Sequence, residues 1–117
     1  MQLQPERLGS PEILAADTVE WTLRIPEDLY FFQGHFPQAA IVPGVALTQW
    51  AIQFAAEQFQ RAAKIDALST LKFQQVLRPG EEVVLEIRDQ PDKGSTHFRY
   101  YRGDIAHASG RIHWAHD

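Results

Sequence analysis

Hydrophobic and polar residues alternate strictly from Thr18 to Ile25. Val19, Trp21, Leu23 and Ile25 share one face, and Thr18, Glu20, Thr22 and Arg24 the other. That two-residue period predicts a half-buried strand, closed by Pro26. From Gly44 to about Lys64 the period changes. This stretch has no proline and is rich in good helix formers. Val45, Leu47, Trp50, Ala51, Ile52, Phe54, Ala55 and Phe59 cover most of a helix circumference, which predicts a largely buried helix. Its polar residues Gln49, Gln53, Glu57, Gln60 and Lys64 recur at steps of three and four and form one narrow stripe. Strand patterns follow over 68–77, 81–88, 95–102 and 104–114. Between them stand the turn sequences Arg78-Pro79-Gly80, Pro91-Asp92-Lys93-Gly94 and Arg102-Gly103-Asp104. Such short links favour antiparallel neighbours. One apolar helix among five or so strands must lie on one face of a curved antiparallel sheet, an α+β arrangement.

The 117 residues make one domain over 1–117, since a domain takes roughly 100–200 residues. Residues 1–17, rich in Pro, Gly and small side chains, read as a lead-in arm or an irregular first strand. With 44% hydrophobic and 22% charged residues the composition is that of an ordinary folded chain. A net charge of −4 lacks the positive field that nucleic acid or an anionic membrane selects. The absence of cysteine excludes disulfides, a thiolate metal site and a cysteine nucleophile. No leader pattern and no run of about 20 apolar residues is present, so a cytoplasmic protein is expected.

Candidate chemistry gathers where an aromatic loop, Leu29 to Pro37, runs into the start of the helix. His35 can carry a proton near neutral pH, and the helix N-terminus presents unpaired N–H groups and a positive dipole end. A base beside an oxyanion site suits proton abstraction next to a carbonyl. Glu57 lies too far along the helix to serve the same place, whereas Glu27 and Asp28 stand closer to the loop. His107 and His113 share a strand face by parity with Ser109 and Arg111. That face reads as solvated, and no metal site is expected there.

The stretch Gly34-His35-Phe36-Pro37, the helix opening Pro43-Gly44-Val45, and Leu71-Lys72-Phe73 leading to Arg78-Pro79-Gly80-Glu81 resemble the β-hydroxyacyl-acyl carrier protein dehydratases of the FabZ and FabA type. Trp50 makes the chain more similar to the ApeI-like dehydratases of aryl polyene pathways. The resemblance runs from about Thr18 to Trp114 and implies the hotdog fold, a long helix wrapped by the sheet. It also implies a homodimer, or a heterodimer with a related dehydratase, and an acyl tunnel at the interface. By that resemblance His35 is the base, Gly44 with Val45 forms the oxyanion and substrate-binding turn, and Phe32, Phe36 and Pro43 line the tunnel. No cofactor is implied.

One position departs from the family. Its Glu or Asp, fourteen residues after the histidine, falls here on Gln49, while Gln53 keeps the family's glutamine on the next turn. A carboxamide donates hydrogen bonds but cannot deliver a proton as a carboxylic acid does. The leading expectation is a hydro-lyase acting on acyl carrier protein or CoA thioesters, with His35 and Gln49 as its catalytic pair. The alternatives are an impaired acyl-binding subunit that pairs with an active partner, and a hotdog thioesterase.

Overall fold

The computed structural model describes residues 2–32, 40–62 and 64–116. Among them are seven strands: β1 (Glu6–Arg7), β2 (Glu12–Ala15), β3 (Thr18–Arg24), β4 (Ile65–Phe73), β5 (Glu82–Gln90), β6 (Ser95–Arg102) and β7 (Ile105–Trp114). One α-helix, α1 (Gly44–Gln58), lies between β3 and β4. The strands form one antiparallel sheet in the order β1-β3-β5-β6-β7-β4, with β2 also on β3. The helix packs on this sheet through β5 and β7, the α+β hotdog arrangement expected from the sequence. The lead-in residues supply the two short strands β1 and β2.

Alternation explains the sheet. Val19, Trp21 and Leu23 of β3 face Ile87, Leu85 and Val83 of β5, and all six are buried. They meet the apolar face of α1, where Trp21 stands edge-on to Phe54 at 5.1 Å between ring centroids. The phenol of Tyr100 reaches the helix from β6 and donates to the Leu47 carbonyl at 2.7 Å. Burial raises that phenol well above its ordinary value, so it remains a donor.

The helix ends at Gln58 rather than near Lys64. Phe59 N–H bonds Ala55 O at 3.0 Å and Arg61 N–H bonds Ala56 O at 2.9 Å, with Gln60 left-handed at φ 53° between them. This is a Schellman-type stop, built without the glycine that normally announces it. Arg61 then turns to the sheet and grips the buried Asp89 at 3.1 and 3.2 Å.

Two further differences concern the sheet. The link containing Arg78-Pro79-Gly80 does not join neighbours: β4 lies at one edge beside β7, and β5 lies beside β3. Residues 74–81 cross between them, bonded to Val42 through Leu77 O at 2.8 Å and to Ile25 through Gly80 N at 2.7 Å. The second difference overturns a parity expectation. Tyr100 faces Ala108 and Tyr101 faces Ala106, so His107 is an extra residue in β7, a β-bulge. The bulge breaks the alternation, and His107 is buried at 4% exposure instead of sharing a solvated face with His113.

Candidate functional site

The first turn of α1 is built on Pro43, which stands extended at φ −63° and ψ 146° and caps the helix without a side-chain bond. Its carbonyl accepts from Ala46 N–H at 3.0 Å and Leu47 N–H at 3.2 Å. The N–H groups of Gly44 and Val45 precede the first intrahelical bonds and are donors for a ligand. Gly44 is required by its neighbour, since a Cβ there would stand 2.9 Å from Cε1 and Cζ of the Phe73 ring.

This turn forms one wall of a cavity of about 160 Å³. Pro43, Gly44 and Leu47 line it from the helix side, Phe73 and Leu77 from β4 and the crossing segment, and His107 from β7. Most of its surface is apolar side chain, as an acyl group requires, and among the described residues His107 is its one titratable lining residue.

The expected site residues are placed as follows. Pro43 and Gly44 border the cavity. Val45 is 74% exposed and begins a stripe continued by the exposed Gln49, Gln53 and Glu57 at four-residue steps. Phe32 is buried in the core cluster. His35 and Phe36 lie outside the described residues. Glu57 is held by Arg7 at 2.8 Å, and Glu27 and Asp28 line a separate cavity of about 590 Å³ with Gln2, Glu6 and Arg24. Trp50 is buried and its indole N–H donates to Leu3 O at 3.0 Å, which fixes the N-terminal arm to α1. Among the described residues no group of three or more His, Asp or Glu is arranged to hold a metal, and no helix is long and apolar enough to cross a membrane.

Sequence reasoning missed His107 and the crossing segment. The alternation gave no signal: apolar residues keep even numbers at Ala106, Ala108, Ile112 and Trp114, on both sides of the bulge, and the odd-numbered Ile105 is exposed.

Residues 12–111 match the family model described as ApeI-like, ApeI dehydratase. A curated relative, the 3-hydroxyacyl-[acyl-carrier-protein] dehydratase FabZ of Levilactobacillus brevis, is 32% identical over 83 residues, which cover 65% of this chain and 56% of the relative. The chain spans about half the length of the curated relatives it matches. A solved structure described as the dehydratase heterocomplex ApeI:P from Xenorhabdus doucetiae is similar at TM-score 0.79 and 28% identity, covering 94% of this chain and 96% of that one. An uncharacterised protein from Erwinia carotovora subsp. atroseptica is similar at TM-score 0.76 and 28% identity, covering 93% and 94%.

Proposed function

The chain belongs to the ApeI-like dehydratase family, and we propose on that premise that it removes water from a β-hydroxyacyl thioester. The observation that carries the reading is the helix start. An N-terminus without a side-chain cap presents Gly44 at the wall of a largely apolar cavity, a few residues after Gly34-His35-Phe36-Pro37 in the chain. Donors aimed at a developing oxyanion are the largest single contribution such a site can make. His35 takes the proton alpha to the thioester carbonyl, and the Gly44 N–H holds the carbonyl oxygen as enolate charge builds. The Cα–H electron pair becomes the C=C bond as the β-hydroxyl leaves. The Gln49 carboxamide positions that hydroxyl or a water by hydrogen bonding. The acyl carrier is acyl carrier protein, the carrier named for the FabZ relatives, or CoA, which presents the same thioester. No cofactor takes part.

The test is hydration of a crotonyl thioester, the reverse reaction, by the parent beside His35→Ala and Gln49→Glu. Activity in the parent that falls by about 10²-fold or more in His35→Ala supports the enzyme. Parent activity that survives His35→Ala removes His35 as base. If neither the parent nor Gln49→Glu hydrates the thioester, the dehydratase reading fails.

A second reading concerns assembly. Among the described residues the strand β4 pairs only with β7 and its other edge is open, and the Val45–Gln49–Gln53 stripe faces outward. An unpaired edge beside exposed apolar residues is a template for a second chain. A second copy of this chain fits it. A related dehydratase does so equally in chemistry, as the similarity to a heterocomplex supports. If the partner carries the carboxylate, this chain is the acyl-binding half, and activity appears only on co-expression.

A further inference from the structure

Among the described residues His107 is the one titratable residue lining the cavity beside Gly44, and its environment is built rather than incidental. The β-bulge turns its side chain inward, next to the equally buried Ala108. Bulges of this kind re-aim a side chain and are common beside active sites. Its backbone carbonyl accepts from Gln74 N–H at 2.9 Å and Gln75 N–H at 3.3 Å, which locks the crossing segment against β7. In return the ring Nδ1 lies 2.9 Å from the Gln75 carbonyl oxygen. A carbonyl only accepts, so Nδ1 carries the hydrogen and the neutral tautomer keeps its lone pair on Nε2.

Nε2 has no partner among the described residues. Yet no buried side-chain nitrogen or oxygen among the described residues is left unsatisfied, so Nε2 is not sealed in the core. The cavity that His107 lines lies across from the first turn of α1. An imidazole tied at Nδ1 and open at Nε2 can take a second proton there and hand it on.

We propose that His107 is a further catalytic residue of the thioester site, its Nε2 touching the bound acyl group and giving the leaving hydroxyl its proton. This rests on the dehydratase reading and fills the place left by Gln49, whose carboxamide cannot supply a proton. In the balanced step the base gains the α-proton and the Cα–H pair forms the C=C bond. The Cβ–O bond breaks with its electrons on oxygen, and that oxygen takes the proton from Nε2 to leave as water. The base then holds one proton more and His107 one fewer, and exchange with water restores both.

The test compares the parent with His107→Asn and His107→Gln. Asparagine can reach the Gln75 carbonyl as Nδ1 does but offers nothing at the Nε2 position, whereas the longer glutamine amide can reach the cavity. His107→Asn should keep the parent's melting temperature within about 2 °C and lower kcat for crotonyl thioester hydration by about 100-fold. Gln49→Glu should raise kcat more in His107→Asn than in the parent, a non-additivity that a purely structural histidine would not give. A folded His107→Asn protein with parental kcat overturns the proposal and leaves the dehydratase reading intact. If His107→Asn fails to fold, ring-nitrogen NMR of the parent decides: a His107 Nε2 signal displaced by an S-crotonyl thioester supports the contact, and an unmoved one overturns it. An inactive parent that Gln49→Glu rescues overturns the proton-donor role and keeps the dehydratase reading, and if neither protein hydrates the thioester both fail.

Discussion

At the scale of single residues, hydrogen bonding and burial decide which groups stay neutral. On the outer face of the sheet the Tyr101 phenol donates to the Glu20 carboxylate across the sheet. That hydrogen bond first, then burial, raises the phenol from 10 to about 12. A phenol raised in the folded state contributes stability that is full below pH 10. It is lost as pH climbs from 10 towards 12, because the unfolded chain releases its proton first. Ultraviolet titration should therefore show the Tyr101 phenolate appearing near 12 in the parent and moving back toward 10 in Glu20→Ala. An unchanged titration in the variant would remove the Glu20 bond as the cause. Neither Tyr101 nor His107 could be placed this way from the sequence. Parity along β7 predicts a solvated His107, and a single inserted residue reverses it. The Pro43 to Val45 turn was legible because a proline cap is local, whereas the Phe73 ring that leaves no room for a side chain at Gly44 comes from a distant strand.

At the scale of elements, apolar periodicity was enough to find β3, α1, β5, β6 and β7, since each buries one face and so writes its period into the chain, whereas β4, also found, is exposed or half-buried along its length. The end of α1 was not legible. Its stop uses a left-handed glutamine, Gln60, and depends on a distant acceptor for Arg61. That acceptor anchors a buried network. Asp89 takes the Arg61 guanidinium and, at 2.6 Å, the Thr96 hydroxyl, while Thr96 accepts the Trp114 indole N–H at 2.7 Å. The network ties the C-terminal end of the helix to β5, β6 and β7. Asp89→Ala should cost about 2–4 kcal/mol, because it strips a poorly solvated guanidinium and a buried hydroxyl of their acceptor. The check is a lower urea midpoint at unchanged slope. A loss below about 0.5 kcal/mol would mean that water replaces the carboxylate there.

At the scale of the whole molecule the order of the strands leaves one end of the sheet unfinished. β1 and β2 both close the edge of β3, whereas among the described residues nothing pairs with the outer edge of β4. Beside that edge stand Phe73, 52% exposed, with Ile65, Leu71 and Val76, and across the helix start Ile41 and Val45. These are apolar side chains on both sides of the candidate cavity, so whatever covers them also roofs the place where the acyl group would lie. A second chain satisfies the backbone edge and the apolar surface together, which a small ligand cannot do. Sedimentation of the purified chain should therefore give twice 13.4 kDa. Charges placed on the edge by Ile65→Lys with Leu71→Lys should shift it to the single mass while β3, β5 and β6 keep their pairing. Because neither lysine enters the cavity wall, thioester hydration lost along with the dimer would mean that the site is completed by the partner. Hydration that persists in the monomer would mean that one chain holds all the chemistry, and would place the proton donor on this chain rather than across the interface.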